Sequence, residues 1–423
     1  MTMIVTTRAA LPTEPRRPAL AFIFITIVLD VLALGIIIPV LPRLVESFLG
    51  GDTGQAAEMY GLFGAVWALM QFGFSPVLGA LSDHFGRRPV ILLSNLGLGL
   101  DYVMMALAPS LPWLLIGRII SGITAASFTT AGAYIADVTP PERRAAGFGI
   151  QGAAFGIGFV LGPALGGVLG GFDPRLPFWV ASALSLANFC YGCLVLPESL
   201  PPERRQHFAW SRANPLGALR FLRSQPGLSG LAVVTLLSLL AHEVLPSTFV
   251  LYAGYRYGWG AVTVGLTLAG VGVCGAIVQG GLIRPMVALT GERRAAMAGL
   301  LFGTLGFTIY GLAPIGEMFW MGVPVMALWG LFTPSSQSLM TQLVGLSEQG
   351  RLQGAIQGLR GITGLIGPLL FTFTFAAAID PTNQWQSPGA PFLLAAALLA
   401  SALALALRVT RQLPATITSG KKT

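Results

Sequence analysis

Long apolar runs separated by short polar breaks are the governing pattern of this chain. Twelve such runs lie at approximately 19–41, 58–81, 90–109, 111–136, 148–170, 177–196, 228–251, 262–289, 295–314, 318–344, 354–378 and 389–409. Each has about the 20 apolar residues that a helix needs to cross a bilayer. The pattern predicts an all-α membrane protein with twelve transmembrane helices. The longest polar interruption, 197–227, carries Glu198, Glu203, Arg204, Arg205, His207, Arg212, Arg220 and Arg223, and it divides the runs six and six. The expected organisation is an N-terminal segment 1–18, a six-helix bundle over 19–196, a connector over 197–227, a second six-helix bundle over 228–410 and a tail over 411–423. Two parallel bundles of this kind place a substrate path between them near the bilayer midplane. A weak internal echo supports the division, because Gly291-Glu-Arg-Arg follows the eighth run as Gly86-Arg-Arg follows the second.

Composition narrows the class. Of 423 residues, 54% are hydrophobic and 10% charged, which excludes both a soluble core and a disordered Gly/Pro-rich chain. The 54 glycines suit membrane helices, where small residues let backbones approach closely. The net charge of +8 reports topology, with no nucleic-acid partner expected. With the N-terminus inside, about 20 of the 25 Lys and Arg fall on the cytoplasmic side, Arg43, Arg175 and Arg256 fall outside, and Arg118 and Arg360 lie within helices. Both termini are therefore expected in the cytoplasm. No small-residue cleavage pattern follows a short apolar core, so no cleaved signal peptide is expected. Cys190, Cys193 and Cys274 all fall inside apolar runs, which implies no disulfide framework, and the Cys190-x-x-Cys193 spacing is read as coincidental to redox chemistry.

Several polar positions stand out against this background. Gly79-Ala-Leu-Ser-Asp-His-Phe-Gly-Arg-Arg-Pro89 is a short polar hinge in which Asp83, Arg87 and Arg88 meet the cytoplasmic face, while Gly79 and Gly86 permit close approach and a sharp turn. Arg118 opens an Arg-x-x-x-Gly pattern inside the fourth run, where a permanent charge either faces the bundle interior and marks a transport path or snorkels to the outer interface. Asp30 lies about 16 Å along the first helix, near the bilayer centre, and Asp101 at similar depth in the third. Each is either a carrier of coupling protons or a buried structural carboxylate. In the fifth run Gly152/Gly156, Gly158/Gly162 and Gly162/Gly166 put small residues on one helical face, and Pro163 can kink it. Gly147, Gly149 and Gly152 fit G-x-G-x-x-G, but with no preceding strand the match carries no nucleotide-binding meaning.

Together, the hinge at 79–89, Arg118 with Gly122, and Gly158-x-x-x-Gly162-Pro163-x-x-Gly166-Gly167 resemble three signatures of the major facilitator superfamily, the last typical of drug/proton antiporters. More narrowly, Ala68-Leu-Met-Gln-Phe through Arg87-Arg-Pro, Leu100-Asp-Tyr, Ala133-Tyr-Ile-Ala-Asp137, Pro197-Glu-Ser, Asn214-Pro-Leu, Leu352-Gln-Gly354 and Ile366-Gly-Pro-Leu-Leu-Phe371 are similar to the bacterial tetracycline/proton antiporter family. That resemblance covers nearly the whole chain. It implies that Gly79, Asp83, Arg87, Arg88 and Asp137 form a cytoplasmic gate holding the outward-facing state. It further links Asp30, Asp101 and Arg118 to proton coupling, and turns Gln71 and Gln279 toward the central cavity. The chain departs from the family at Gly303, where an intramembrane aspartate is expected, and at Gly275, where a histidine is expected. The seventh run instead carries His242-Glu243, about fifteen residues inside the membrane.

The expectation is a monomeric transporter in the bacterial inner membrane that exports an amphiphilic small molecule in exchange for protons, with the lipid bilayer as its surroundings. Glu243 joins the proton-coupling set as a replacement for the missing acid, or else is a protonated packing residue. His242, Glu243 and Gln337 join Gln71 and Gln279 as substrate-binding candidates. No cofactor, resident metal or catalytic set is expected. The energy source is the proton gradient, since no Walker-type loop is present, and a divalent metal enters only as a companion of the substrate. An uptake symporter uses the same fold and acids, and a non-transporting receptor or scaffold is the reading from another class.

Overall fold

The computed structural model describes residues 17–125, 127–140, 144–206, 221–222, 227–345, 348–383 and 386–411. The expected segments 1–18 and 411–423 lie almost wholly outside the described residues, as does most of the connector, including Asn214. The first half comprises α1 (Arg17–Ile37), α2 (Leu41–Phe48), α3 (Thr53–Phe85), α4 (Arg87–Leu107), α5 (Leu111–Thr124), α6 (Ser127–Val138), α7 (Arg144–Phe172) and α8 (Leu176–Val195). The second comprises α9 (Leu228–His242), α10 (Val244–Tyr257), α11 (Ala261–Ile277), α12 (Ile283–Thr290), α13 (Glu292–Leu312), α14 (Gly316–Ala327), α15 (Phe332–Gln342), α16 (Gln349–Ile379) and α17 (Ala390–Arg411). The described residues contain no strand. They contain eleven segments long and apolar enough to span a membrane, with Leu111–Thr124 as a shorter apolar helix. Residue 126, inside the run expected over 111–136, lies outside the described residues, and α5 and α6 are described on either side of it.

Glycine-mediated approach holds the halves together. In the first half α1 and α7 run parallel, and a Cβ on Gly158 would meet Val31 while one on Gly162 would meet Gly35 backbone. At Gly166 the Ile36 carbonyl occupies the space a side chain would need. The same helix then turns its Gly167 against Ala261 and Gly265 of α11. The expected face of small residues is therefore two interfaces, one within the first half and one across the molecule, with Pro163 at both through contacts on Gly35 and Gly265. A second cross-molecule pair is antiparallel: Gly61 and Gly64 of α3 lie on Thr372 and Pro368 of α16, while Ala68 and Phe72 lie on Gly364 and Gly361.

The hinge marks one side of the molecule. Gly86 has φ +110°, a conformation open to glycine, and the Glu198 carboxylate fills the space beside it. That carboxylate accepts the Arg87 and Arg88 backbone N–H groups at 2.9 and 3.3 Å and those of Ser199 and Leu200 at 2.9 and 3.0 Å. An acidic side chain from the segment after α8 thus satisfies the orphan donors at the start of α4. Gln206 adds a second tie, its N–H donating to the Asp83 carbonyl at 3.0 Å. Gly291, which opens α13 with φ +79°, repeats the device in the second half, in agreement with the internal echo of sequence.

Cross-half contacts favour the side away from the hinge. There Arg43 donates to the Trp259 carbonyl and the Tyr60 hydroxyl to the Pro246 carbonyl. Toward the hinge, a Cβ placed on Gly73 or Gly79 of α3, on Gly149, Gly152 or Gly156 of α7, or on Gly280 or Gly281 after α11 would meet nothing within 4 Å. The expectation that Gly79 permits close helix approach is corrected: α3 has already diverged from its partner at that level.

Two stability effects follow. Gly166→Val should destabilise the protein by about 3 kcal/mol through overpacking of α1 on α7, seen as a lower melting temperature in detergent, whereas Gly149→Ala should melt as the parent does. Glu198→Ala should cost about 2 kcal/mol by stranding the hinge N–H groups, read in the same melting experiment.

Candidate functional site

Three turns of irregular backbone interrupt the second half, and they carry several of the candidate side chains. Glu243 stands between α9 and α10. A π-helical turn, Val278–Leu282, holds Gln279 between α11 and α12. A 3₁₀ turn, Leu328–Leu331, holds Trp329 between α14 and α15. Pro368 lies inside α16, one residue beyond Gly367. Irregular backbone at membrane depth is tolerated where it is buried in protein or lines a cavity, and π turns recur at functional sites.

In the first half, Gly122 lets α5 settle on the Trp67 and Met70 backbone and side chain of α3. One turn earlier on the same face, the Arg118 guanidinium lies over the Trp67 ring, 5.5 Å from its centroid. The Arg-x-x-x-Gly spacing is a packing device that delivers a cation to an aromatic face. Asp30 accepts a hydrogen bond of 2.8 Å from the Asn188 amide, which also donates to the Thr26 carbonyl at 3.0 Å. Asp101 is buried against Gly117 and Met105, 1% exposed, and neither carboxylate oxygen has a hydrogen-bond partner among the described residues. Arg118 and Asp101 make no ion pair within 4 Å, but the Arg118 charge acts on Asp101, and Tyr102 feels Asp30, Asp101 and Arg118 together. These three predicted residues form one electrostatic cluster.

The second cluster gathers around the α9–α10 break. The Glu243 side chain lies against Gly367 of α16, where a Cβ would collide with it. The Arg360 guanidinium, two turns away on α16, is the cation that acts on both His242 and Glu243. The His242 ring lies 5.8 Å from that of Trp329. Trp329 in turn covers Gly303: a Cβ there would meet its Cγ at 2.8 Å and Cδ1 at 2.9 Å. The position where the family resemblance implies an aspartate is therefore filled by an indole. Gly275, where a histidine is implied, faces open space with Gln279 Nε2 4.0 Å from a Cβ built on it.

Other candidates lie apart from these clusters. Gln71 is half-buried one turn beyond Trp67, and Gln279 is exposed. Gln337 sits toward the hinge on α15, its amide donating to Gln353 of α16 at 2.9 Å. At the hinge itself Arg87 pairs with Asp83 at 2.6 Å and with Asp137 of α6 at 3.0 Å, and Ser199 donates to the same Asp137 oxygen at 3.2 Å. Arg88 reaches the Cys193 carbonyl at 2.5 Å. All of these hinge partners belong to the first half or the segment just after it. Sequence reading noted Arg360 only as an intramembrane charge and missed Glu198, Trp67, Trp329 and Asn188. A lone amide in an apolar helix was the available signal for Asn188. The indoles gave none, because tryptophan is common in membrane spans.

The Major Facilitator Superfamily family model matches residues 23–368. The tetracycline resistance protein, class C, of Escherichia coli is 39% identical over 368 residues, which cover 86% of this chain and 91% of that protein. The class G protein of Vibrio anguillarum is 37% identical over 360 residues, covering 84% and 90%. Among solved structures, a bacterial homolog of the human lysosomal transporter Spinster, in an inward-facing and occupied conformation, superposes with a TM-score of 0.77 at 17% identity over 97% of this chain and 100% of that one, a likeness of fold alone. Intramembrane charges in both halves, together with these relatives, lead to one conclusion: the chain belongs to the Major Facilitator Superfamily, as a multi-pass membrane transporter related to the tetracycline resistance proteins.

Proposed function

We propose that this protein is a proton-coupled antiporter of the bacterial inner membrane that exports tetracycline-like amphiphilic molecules by alternating access. The carrying observation is the asymmetry between the halves, in contact on the side away from the hinge and diverging toward it, with the two charge clusters at the level where they part. In this reading α5 and α6 count as one span, giving twelve in two six-helix bundles. The arginine-rich hinge side is cytoplasmic, as are both termini, and the described state is open inward. The working unit is a monomer.

Protons enter the cycle through Asp30 and Asp101, with Arg118 as the cation whose influence on Asp101 changes with its protonation. In the second half Glu243 takes the place of the acid missing at Gly303, opposed by Arg360, while His242, Gln71, Gln279 and Gln337 contact substrate. Protonation shifts the population between inward-open and outward-open states. The Asp83–Arg87–Asp137 network then acts as a gate by being stable in one state and rearranged in the other. A divalent ion enters with a chelating substrate and leaves with it.

Everted vesicles test the reading. Tetracycline should release protons from the lumen under a pre-formed gradient, whereas proton movement in the opposite sense would mark uptake symport and no response would end the tetracycline assignment. Asp101→Asn and Asp30→Asn should each reduce proton-coupled transport by about a hundredfold. Glu243→Gln should uncouple transport as well, and intact coupling in that variant would remove Glu243 from the proton set. Asp83→Ala should slow transport while membrane insertion and melting stay close to the parent.

A further inference from the structure

Asp101 is 1% exposed. If it carries a proton, as the proposed function requires and on which this inference rests, that proton needs a route to solvent. Of the two acids at mid-helix, Asp30 is only partly buried and is the one nearer to solvent. Between the two acids lies a set of buried polar atoms with nothing to bond. Asn95 of α4 and Asn188 of α8 are 0% exposed, and Ser185 of α8 is 1% exposed. Among the described residues, Nδ2 and Oδ1 of Asn95, Oδ1 of Asn188 and Oγ of Ser185 have no hydrogen-bond partner.

Helix register brings these atoms together. The Ser182 hydroxyl of α8 donates to the Gly99 carbonyl of α4 at 2.8 Å, Leu186 packs on Gly99, and Leu92 packs on Gly192. The two helices are therefore antiparallel, and Asn95, midway between Leu92 and Gly99, is level with Asn188. Asn188 is bonded to Asp30 at 2.8 Å. Tyr102 lies two turns beyond Asn95 on the same face of α4 and feels both Asp30 and Asp101. Asp101 follows Asn95 by about 9 Å along the axis. A dry interior does not tolerate unpaired buried amide and hydroxyl groups at one level, and water is the partner that suits them; Asp101 lies about 120° further round α4, against Gly117 of α5, and is the unpaired carboxylate that this water must reach.

We propose that Asn95, Tyr102, Ser185 and Asn188 line an enclosed hydrated chamber inside the first half, through which protons pass between Asp30 and Asp101 without entering the central cavity. The amides and Ser185 orient the waters, while the waters and the Tyr102 hydroxyl move the proton. Protonated Asp30 releases its proton to the first water, each O–H along the chain passes one proton onward, and the last water protonates the Asp101 carboxylate, leaving Asp30 ionised. The four lining residues are positioning residues.

The test uses the full-length, substrate-free protein in lipid nanodiscs. Infrared spectroscopy follows hydrogen–deuterium exchange of the Asp101 carboxyl, whose band is identified by its loss in Asp101→Asn. The isosteric Asn95→Leu should slow that exchange by about tenfold or more, and Asn95→Ser should restore most of it. Ser185→Ala serves if Asn95→Leu does not fold. A structure resolving ordered water should place molecules on Asn95 and Asn188. Parental exchange in Asn95→Leu and Ser185→Ala, an Asp101 carboxyl that does not exchange in the parent, or a dry chamber would each overturn the proposal. With no substrate and no gradient, these outcomes are separate from transport: failed tetracycline antiport with normal water-dependent exchange would overturn the proposed function and leave the chamber standing.

Discussion

Inside a bilayer no solvent stands ready to bond a stray N–H or C=O, so the backbone is free to leave the α-helix only where protein or a wetted cavity receives it. The rest of this structure follows from that constraint. The irregular turns at Glu243, at Val278–Leu282 and at Leu328–Leu331 all lie in the second half, and their side chains are the ones turned toward polar work. The first half carries its intramembrane charges within helices, at Asp30, Asp101 and Arg118. Gly86 and Gly291 repeat one turn device in the two halves.

Much of the architecture was legible in the sequence. Hydrophobic run length located the spans, and the glycine spacing of α7 announced close packing, because both depend on local composition. What the spacing could not convey is that Gly162 and Gly166 serve α1 while Gly167 serves α11. Which backbone lies opposite a small residue is a tertiary fact. Charged candidates were easier to find than their partners: Arg118 is conspicuous in an apolar run, whereas Trp67 beneath it is not.

The departures at Gly275 and Gly303 illustrate two ways of losing a polar group. At Gly275 nothing replaces it, and the space opens toward Gln279. At Gly303 an indole from a neighbouring turn covers the glycine and joins His242 in an aromatic contact. A buried carboxylate at Gly303 would need both room and a partner, and Trp329 removes the room. The second half carries an intramembrane carboxyl instead at Glu243, where Arg360 is in range and a glycine on α16 leaves space for the side chain.

The ties at Glu198 and Gln206 bear on how far the halves can travel. Because the chain after α8 is clasped to the ends of α3 and α4, the leash between the halves is measured from Gln206 rather than from Pro197. A leash fastened close to its post limits the swing of whatever hangs from it, and in the proposed cycle each excursion of the second half pulls on the hinge that carries Asp83 and Arg87, with Asp137 of α6 paired to it. Joined this way, connector length and gate tension become one mechanical quantity, set by where the tether is pinned.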